Sequence, residues 1–148
     1  MKRVVITGMG INSCIGNTLE EVNHSLQNGI SGTRLNPVYQ ELNFKSHVSA
    51  AAAQDFDGID RRLKRFMGVC AMYAYNSALA AVEQAGLTAE QLGGNPRYGI
   101  AGGSGGGSTA SVIEMNELLE TKGARKVGPF FVPRNMTNTI TANVGVAF

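Results

Sequence analysis

Two short apolar runs that end directly in glycine set the strongest limit on what this chain can fold into. The first, Arg3-Val4-Val5-Ile6-Thr7, meets Gly8 and Gly10; the second, Tyr98-Gly99-Ile100-Ala101-Gly102, meets Gly103-Ser104-Gly105-Gly106-Gly107-Ser108. Such runs, apolar on both faces, suit strands buried within an α/β sheet. They also explain where many of the 19 glycines among 148 residues go.

The chain between and beyond these runs reads mainly as helix. Thr18 and Glu21 have the spacing of a capping box, and Asn28-Gly29 stops the helix that follows at Gln27. From Asp60 to Gly86 the residues Leu63, Phe66, Met67, Cys70, Ala74, Ala78, Ala81, Val82 and Ala85 recur at intervals of three and four, which predicts one long central helix. Its alanines permit close approach by a neighbour. Thr88 and Gln91 are placed to cap a short turn, and Ser108 to cap a helix reaching about Thr121 with Val112, Met115 and Leu119 on one face. Ser31 to Gly58 is predicted as an irregular excursion, with Ser49–Ala53 readable as strand or helix. The order strand, helix, helix, strand, glycine loop, helix predicts an α/β fold with crossover helices. The terminal run Val144-Gly145-Val146-Ala147-Phe148 carries no cap, turn or polar tail, and suggests a chain that continues.

Composition narrows the function classes. Thirteen basic and 11 acidic residues give a net charge of +2, too balanced for a protein that coats nucleic acid. The apolar run after Lys2 and Arg3 is too short for a secretory h-region or a membrane span, so a cytoplasmic protein is expected. Cys14 and Cys70 lack the spacing of a zinc site or a disulfide framework. No metal or other cofactor is expected.

Several motifs admit two readings. Gly8-Met9-Gly10-Ile11-Asn12-Ser13 could be a dinucleotide loop, but Ser13 stands where a third glycine is needed and the helix starts only near Thr18; a tight structural turn is the alternative. Gly102–Ser108 lacks the lysine of a phosphate loop, which leaves a flexible connection or a close backbone approach. Cys70 falls on the apolar face of the central helix, as a small core residue would. Cys14 sits in a loop without a neighbouring histidine, and His24 and His47 have no ligand spacing. The cations Arg61, Arg62, Lys64 and Arg65 lie at the start of the predicted long helix, where they oppose its macrodipole. With Lys122, Arg125 and Lys126 they form either a solvated face or a docking patch for an acidic partner.

Four blocks taken together carry a resemblance: Arg3–Ile11, Asp60–Met67, Gly103–Ser108 and Val127–Pro133. In this order and separation they resemble the 3-oxoacyl-[acyl-carrier-protein] synthases, condensing enzymes with a thiolase-like fold, and the triple glycine after Ser104 is similar to type I members. Asn12 and Cys14 depart from the family's usual pattern. The resemblance implies that residues 1–148 are the N-terminal portion of a synthase domain, roughly its first third, ending before the catalytic cysteine and the two histidines. It implies a homodimer that condenses acyl and malonyl thioesters in fatty-acid elongation, with no catalytic residue in this segment. It further implies docking of the acidic acyl carrier protein on Arg62, Arg65, Lys122 and Arg125, an acyl tunnel beside Gly106, and Met136 where that tunnel meets the partner subunit. A nucleotide-dependent oxidoreductase and a non-catalytic carrier-binding module are the competing readings.

Overall fold

The computed structural model describes residues 3–52 and 55–148. In chain order its elements are α1 (Leu19–Gln27), β1 (Arg34–Leu35), α2 (Pro37–Glu41), β2 (Val48–Ser49), α3 (Arg61–Lys64), α4 (Val69–Gln84), α5 (Ala89–Leu92), α6 (Thr109–Lys122), a 3₁₀ turn (Ala124–Lys126), α7 (Phe131–Asn135) and α8 (Thr139–Ala147). Among the described residues, no helix is long and apolar enough to cross a membrane.

Local signals are honoured closely. The Thr18 hydroxyl accepts from the Glu21 N–H at 3.2 Å, and the Glu21 carboxylate accepts from the Thr18 N–H at 3.3 Å, which satisfies donors the first helical turn leaves open. Gly29, with φ of 62°, ends α1, and the Ile30 N–H reaches back to the Ser25 carbonyl at 2.8 Å. Gly86 ends α4 in the same way, with Leu87 donating to Val82 at 3.1 Å. Gln91 accepts from the Thr88 N–H, and Ser108 accepts from the Ser111 N–H.

Three expectations are corrected. The runs at Arg3–Thr7 and Tyr98–Gly102 form no ladder: Val4, Val5 and Ile6 are 92%, 68% and 82% exposed, and Ile100 is 47% exposed. A strand needs hydrogen-bonding neighbours and cover on its faces. Among the described residues, the paired strands instead lie in the supposedly irregular excursion, where Arg34 opposes Ser49 and Leu35 opposes Val48 in an antiparallel pair that brackets α2. The run Ser49–Ala53 begins in β2, and Ala53 itself lies outside the described residues.

The second correction concerns the central helix, which is two helices. Gly68 separates α3 from α4, and an added Cβ there would stand 2.7 Å from the Ser108 Cβ and 2.9 Å from the Arg134 carbonyl oxygen. The bare backbone at Gly68 lets the starts of α4 and α6 and the end of α7 converge. The third is the expected apolar face of α6: Val112 and Leu119 are exposed, and the face that packs inward carries Ser111, with Met115 and Leu118 half-buried.

The core lies where these elements meet. Ile59, Met67 and Ala71 are buried together, with Phe56, Leu63, Met72 and Tyr75 packed around them. Burying a side chain the size of Met67 is worth about 1.5–3 kcal/mol. α8 packs along α4, and α6 packs on α7. Asn143, buried in α8, ties that helix to the segment before α4: its amide reaches the Phe66 carbonyl at 3.3 Å as well as the Thr139 carbonyl at 2.8 Å and hydroxyl at 3.0 Å within α8.

Candidate functional site

The break at Gly68 changes the meaning of the first basic cluster. Arg61, Arg62 and Lys64 occupy a separate four-residue turn capped at its start by Asp60, whose carboxylate accepts from the Arg62 N–H at 2.6 Å. The cations therefore do not crowd the N-terminus of α4, and the macrodipole conflict expected of one long helix is absent. Lys64 is turned inward to the Phe56 carbonyl at 3.1 Å and to Asp57 at 3.6 Å. Arg62 and Arg65 are exposed, as are Lys122 at the end of α6 and Arg125 in the 3₁₀ turn.

The first cluster is tied to the segment that follows the second. The Arg65 guanidinium lies over the Phe130 ring, 4.8 Å from its centroid, and Phe130 stands five residues after Arg125. The Phe66 ring meets Phe130 edge-on at 5.0 Å. Arg134 then clasps the same turn: its Nε donates to the Arg65 carbonyl at 2.9 Å, and its Nη1 pairs with Glu114 of α6 at 3.3 Å. Phe130, Arg134 and Glu114 carry no sequence-level assignment. The aromatic pair Phe130-Phe131 was a visible signal, but its partner lies 65 positions away.

The two glycine loops serve backbone approach, at particular positions. Gly8 and Gly10 press against α4, where an added Cβ would reach 3.0 Å from the Ala81 carbonyl carbon and 2.8 Å from that of Ser77, with the carbonyl oxygens nearer still. Met9 donates to the Gln84 side chain at 2.7 Å, and Asn12 donates to the Tyr73 carbonyl at 2.8 Å and to the Ser77 hydroxyl. This loop thus runs lengthwise down one face of α4, so its glycines serve close packing on a helix, which favours the structural-turn reading over the dinucleotide one. In the second loop Gly107 abuts Asn135, whereas Gly106 has open space where a Cβ would stand and a φ outside the left-handed region. The Ser104 hydroxyl closes the turn onto the Gly106 carbonyl at 2.5 Å. Met136 follows α7 and is partly exposed.

An open cleft of about 860 Å³ is lined by Gly8, by Tyr98 to Ala101, and by Ala81 and Val82 of α4 and Val144 of α8. Cys70 occupies the first turn of α4, half-buried, and Cys14 is exposed. His24 and His47 are exposed. Among the described residues, no group of three or more histidine, cysteine or acidic side chains is placed to hold a metal ion.

The arrangement is that of thiolase-like ketosynthases. A beta-ketoacyl synthase from Burkholderia phymatum superposes with a TM-score of 0.79 at 31% identity, over 99% of this chain and 36% of that one. A type II polyketide ketosynthase, solved in complex with its acyl-carrier protein, superposes at 0.77 over 99% of this chain and 39% of that one; at 19% identity it supports the fold alone. The family model described as beta-ketoacyl synthase, N-terminal domain, matches residues 1–148, and the chain belongs to that family. It is 40% identical over 144 residues to 3-oxoacyl-[acyl-carrier-protein] synthase 1 of Haemophilus influenzae, a match covering 96% of this chain. The chain spans 35% of that relative's length.

Proposed function

We propose that the protein carrying this sequence is a 3-oxoacyl-[acyl-carrier-protein] synthase of type I, an acyltransferase that elongates fatty-acyl chains by decarboxylative condensation with a malonyl group on the carrier protein. The observation that carries this reading is the family match over residues 1–148, together with identity of 40% to a synthase of that name. Residues 1–148 serve as the N-terminal portion of its synthase domain and supply docking and shaping surfaces. The acyl-accepting cysteine is assigned to neither Cys14 nor Cys70. The protein works as a cytoplasmic homodimer.

Within this portion, Arg62, Arg65, Lys122 and Arg125 receive the acidic acyl carrier protein. Exposed cations at the end of α3, at the end of α6 and in the 3₁₀ turn suit electrostatic capture of such a partner. Gly106 borders the acyl tunnel, and Met136 lies where that tunnel meets the partner subunit.

The test is made on the full-length protein. Reversing Arg62 and Arg65 to Glu should weaken carrier binding strongly, and wild-type binding should itself weaken as salt rises. Unchanged carrier affinity at low salt would assign the cluster to a plain solvated face.

A further inference from the structure

We infer that Phe130 and Arg134 are positioning residues that hold the Arg65 guanidinium ready for the carrier protein. The inference rests on the docking reading above and names what prepares that site.

Arg65 is an exposed arginine at the end of a single helical turn, a setting in which its side chain would ordinarily sample many rotamers. Two contacts limit that freedom from opposite ends. Its carbonyl is gripped by the Arg134 Nε at 2.9 Å, which fixes the backbone from which the side chain springs. Its guanidinium lies 4.8 Å from the centroid of Phe130, within the range of a cation–π interaction. The platform is itself anchored, because Phe66 meets the Phe130 ring at an interplanar angle of 80°. Arg134 is a second cation close to the first, and Glu114 at 3.3 Å offsets its charge, while its guanidinium lies 5.4 Å from the Phe131 centroid. A guanidinium that meets an aromatic ring through its face keeps the N–H donors in its own plane available to a carboxylate. Part of the ordering of this side chain is thus made on folding, so that less freedom is lost when the carrier binds.

The experiment compares full-length wild type with Phe130→Leu, Phe130→Tyr, Arg65→Ala and the double variant Arg65→Ala/Phe130→Leu. Each is assayed on an acyl thioester carried by the carrier protein and on the same acyl group as a pantetheine thioester, with melting temperature recorded. Phe130→Leu should raise KM for the carrier-bound substrate about two- to fivefold, the range a single cation–π contact supports. It should leave kcat and the pantetheine KM unchanged. Phe130→Tyr, which keeps the ring, should restore the wild-type value, and Phe130→Leu should add nothing in the Arg65→Ala background. Equal loss on both substrates, or the same Phe130→Leu effect with Arg65 absent, would overturn the positioning role while the docking reading stands. An unchanged carrier KM for Arg65→Ala would overturn the docking reading, and this inference with it.

Discussion

Adjacent glycines in the second loop should respond to the same methyl group in opposite ways. A Cβ on Gly107 would lie 2.6 Å from the Asn135 carbonyl carbon and 2.8 Å from its Cα, with the carbonyl oxygen closer still, whereas ordinary contact begins at 3.4 Å. The obstacle is backbone at the end of α7, so no side-chain rotation relieves it. Overpacking of this kind costs about 1–3 kcal/mol, and Gly107→Ala in the full-length protein should melt measurably early. A Cβ on Gly106 meets nothing within 4 Å, and its φ lies outside the left-handed region. Gly106→Ala should therefore fall within about 0.5 kcal/mol of wild type, or gain slightly through a stiffer unfolded chain. Differential scanning fluorimetry of the two variants, followed by relative activity of Gly106→Ile on short and long acyl carriers, makes the comparison. Selective loss of long chains with preserved melting agrees with a tunnel beside Gly106. Early melting of Gly106→Ala, or wild-type melting of Gly107→Ala, would refute the geometric reasoning at that residue.

Other contacts make comparable claims. Gly10→Ala should destabilise by about 1–3 kcal/mol, because its methyl would strike the Ser77 backbone of α4, and denaturant titration would register the loss. Asn143→Leu removes the side-chain amide that reaches the Thr139 carbonyl and hydroxyl and the Phe66 carbonyl, and leaves the Phe66 acceptor to find another partner; a loss of about 1–3 kcal/mol in unfolding free energy is expected. Thr18→Ala should cost about 1 kcal/mol through the capping box, a change that backbone hydrogen exchange would localise to the first turn of α1.

What could be read from the residues alone follows the range of the interaction concerned. Thr18 with Glu21, Thr88 with Gln91 and Ser108 with Ser111 are partners three positions apart, so their helix starts were legible. The break at Gly68 was not, because the apolar period of Leu63, Phe66, Met67 and Cys70 runs straight across it; the reason for the break lies in Ser108 and Arg134, distant in sequence. The runs at Arg3 and Tyr98 carry a strand's composition, but a strand is a relation between segments and composition names no partner. α8 was missed for a similar reason: Thr139, Ile140, Thr141, Val144 and Val146 are poor helix formers, and packing along α4 overrides that preference. At the candidate site the charges were visible as clusters. The Phe130 and Arg134 contacts that order Arg65 were not, the second spanning 69 positions.

Because the basic turn ends at Arg65 and α4 begins only after Gly68, the exposed charges of Arg61, Arg62 and Arg65 stand outside the principal helix. A lineage could exchange Arg62 for a neutral or acidic residue without disturbing the alignment of dipoles in α4 or the packing of Met67 and Ala71 beneath. Recognition could then drift with the partner while the scaffold stayed put. The exception is Arg65, whose carbonyl and side chain are both engaged by the segment around α7, so that variation there would have to be matched at Phe130 or Arg134.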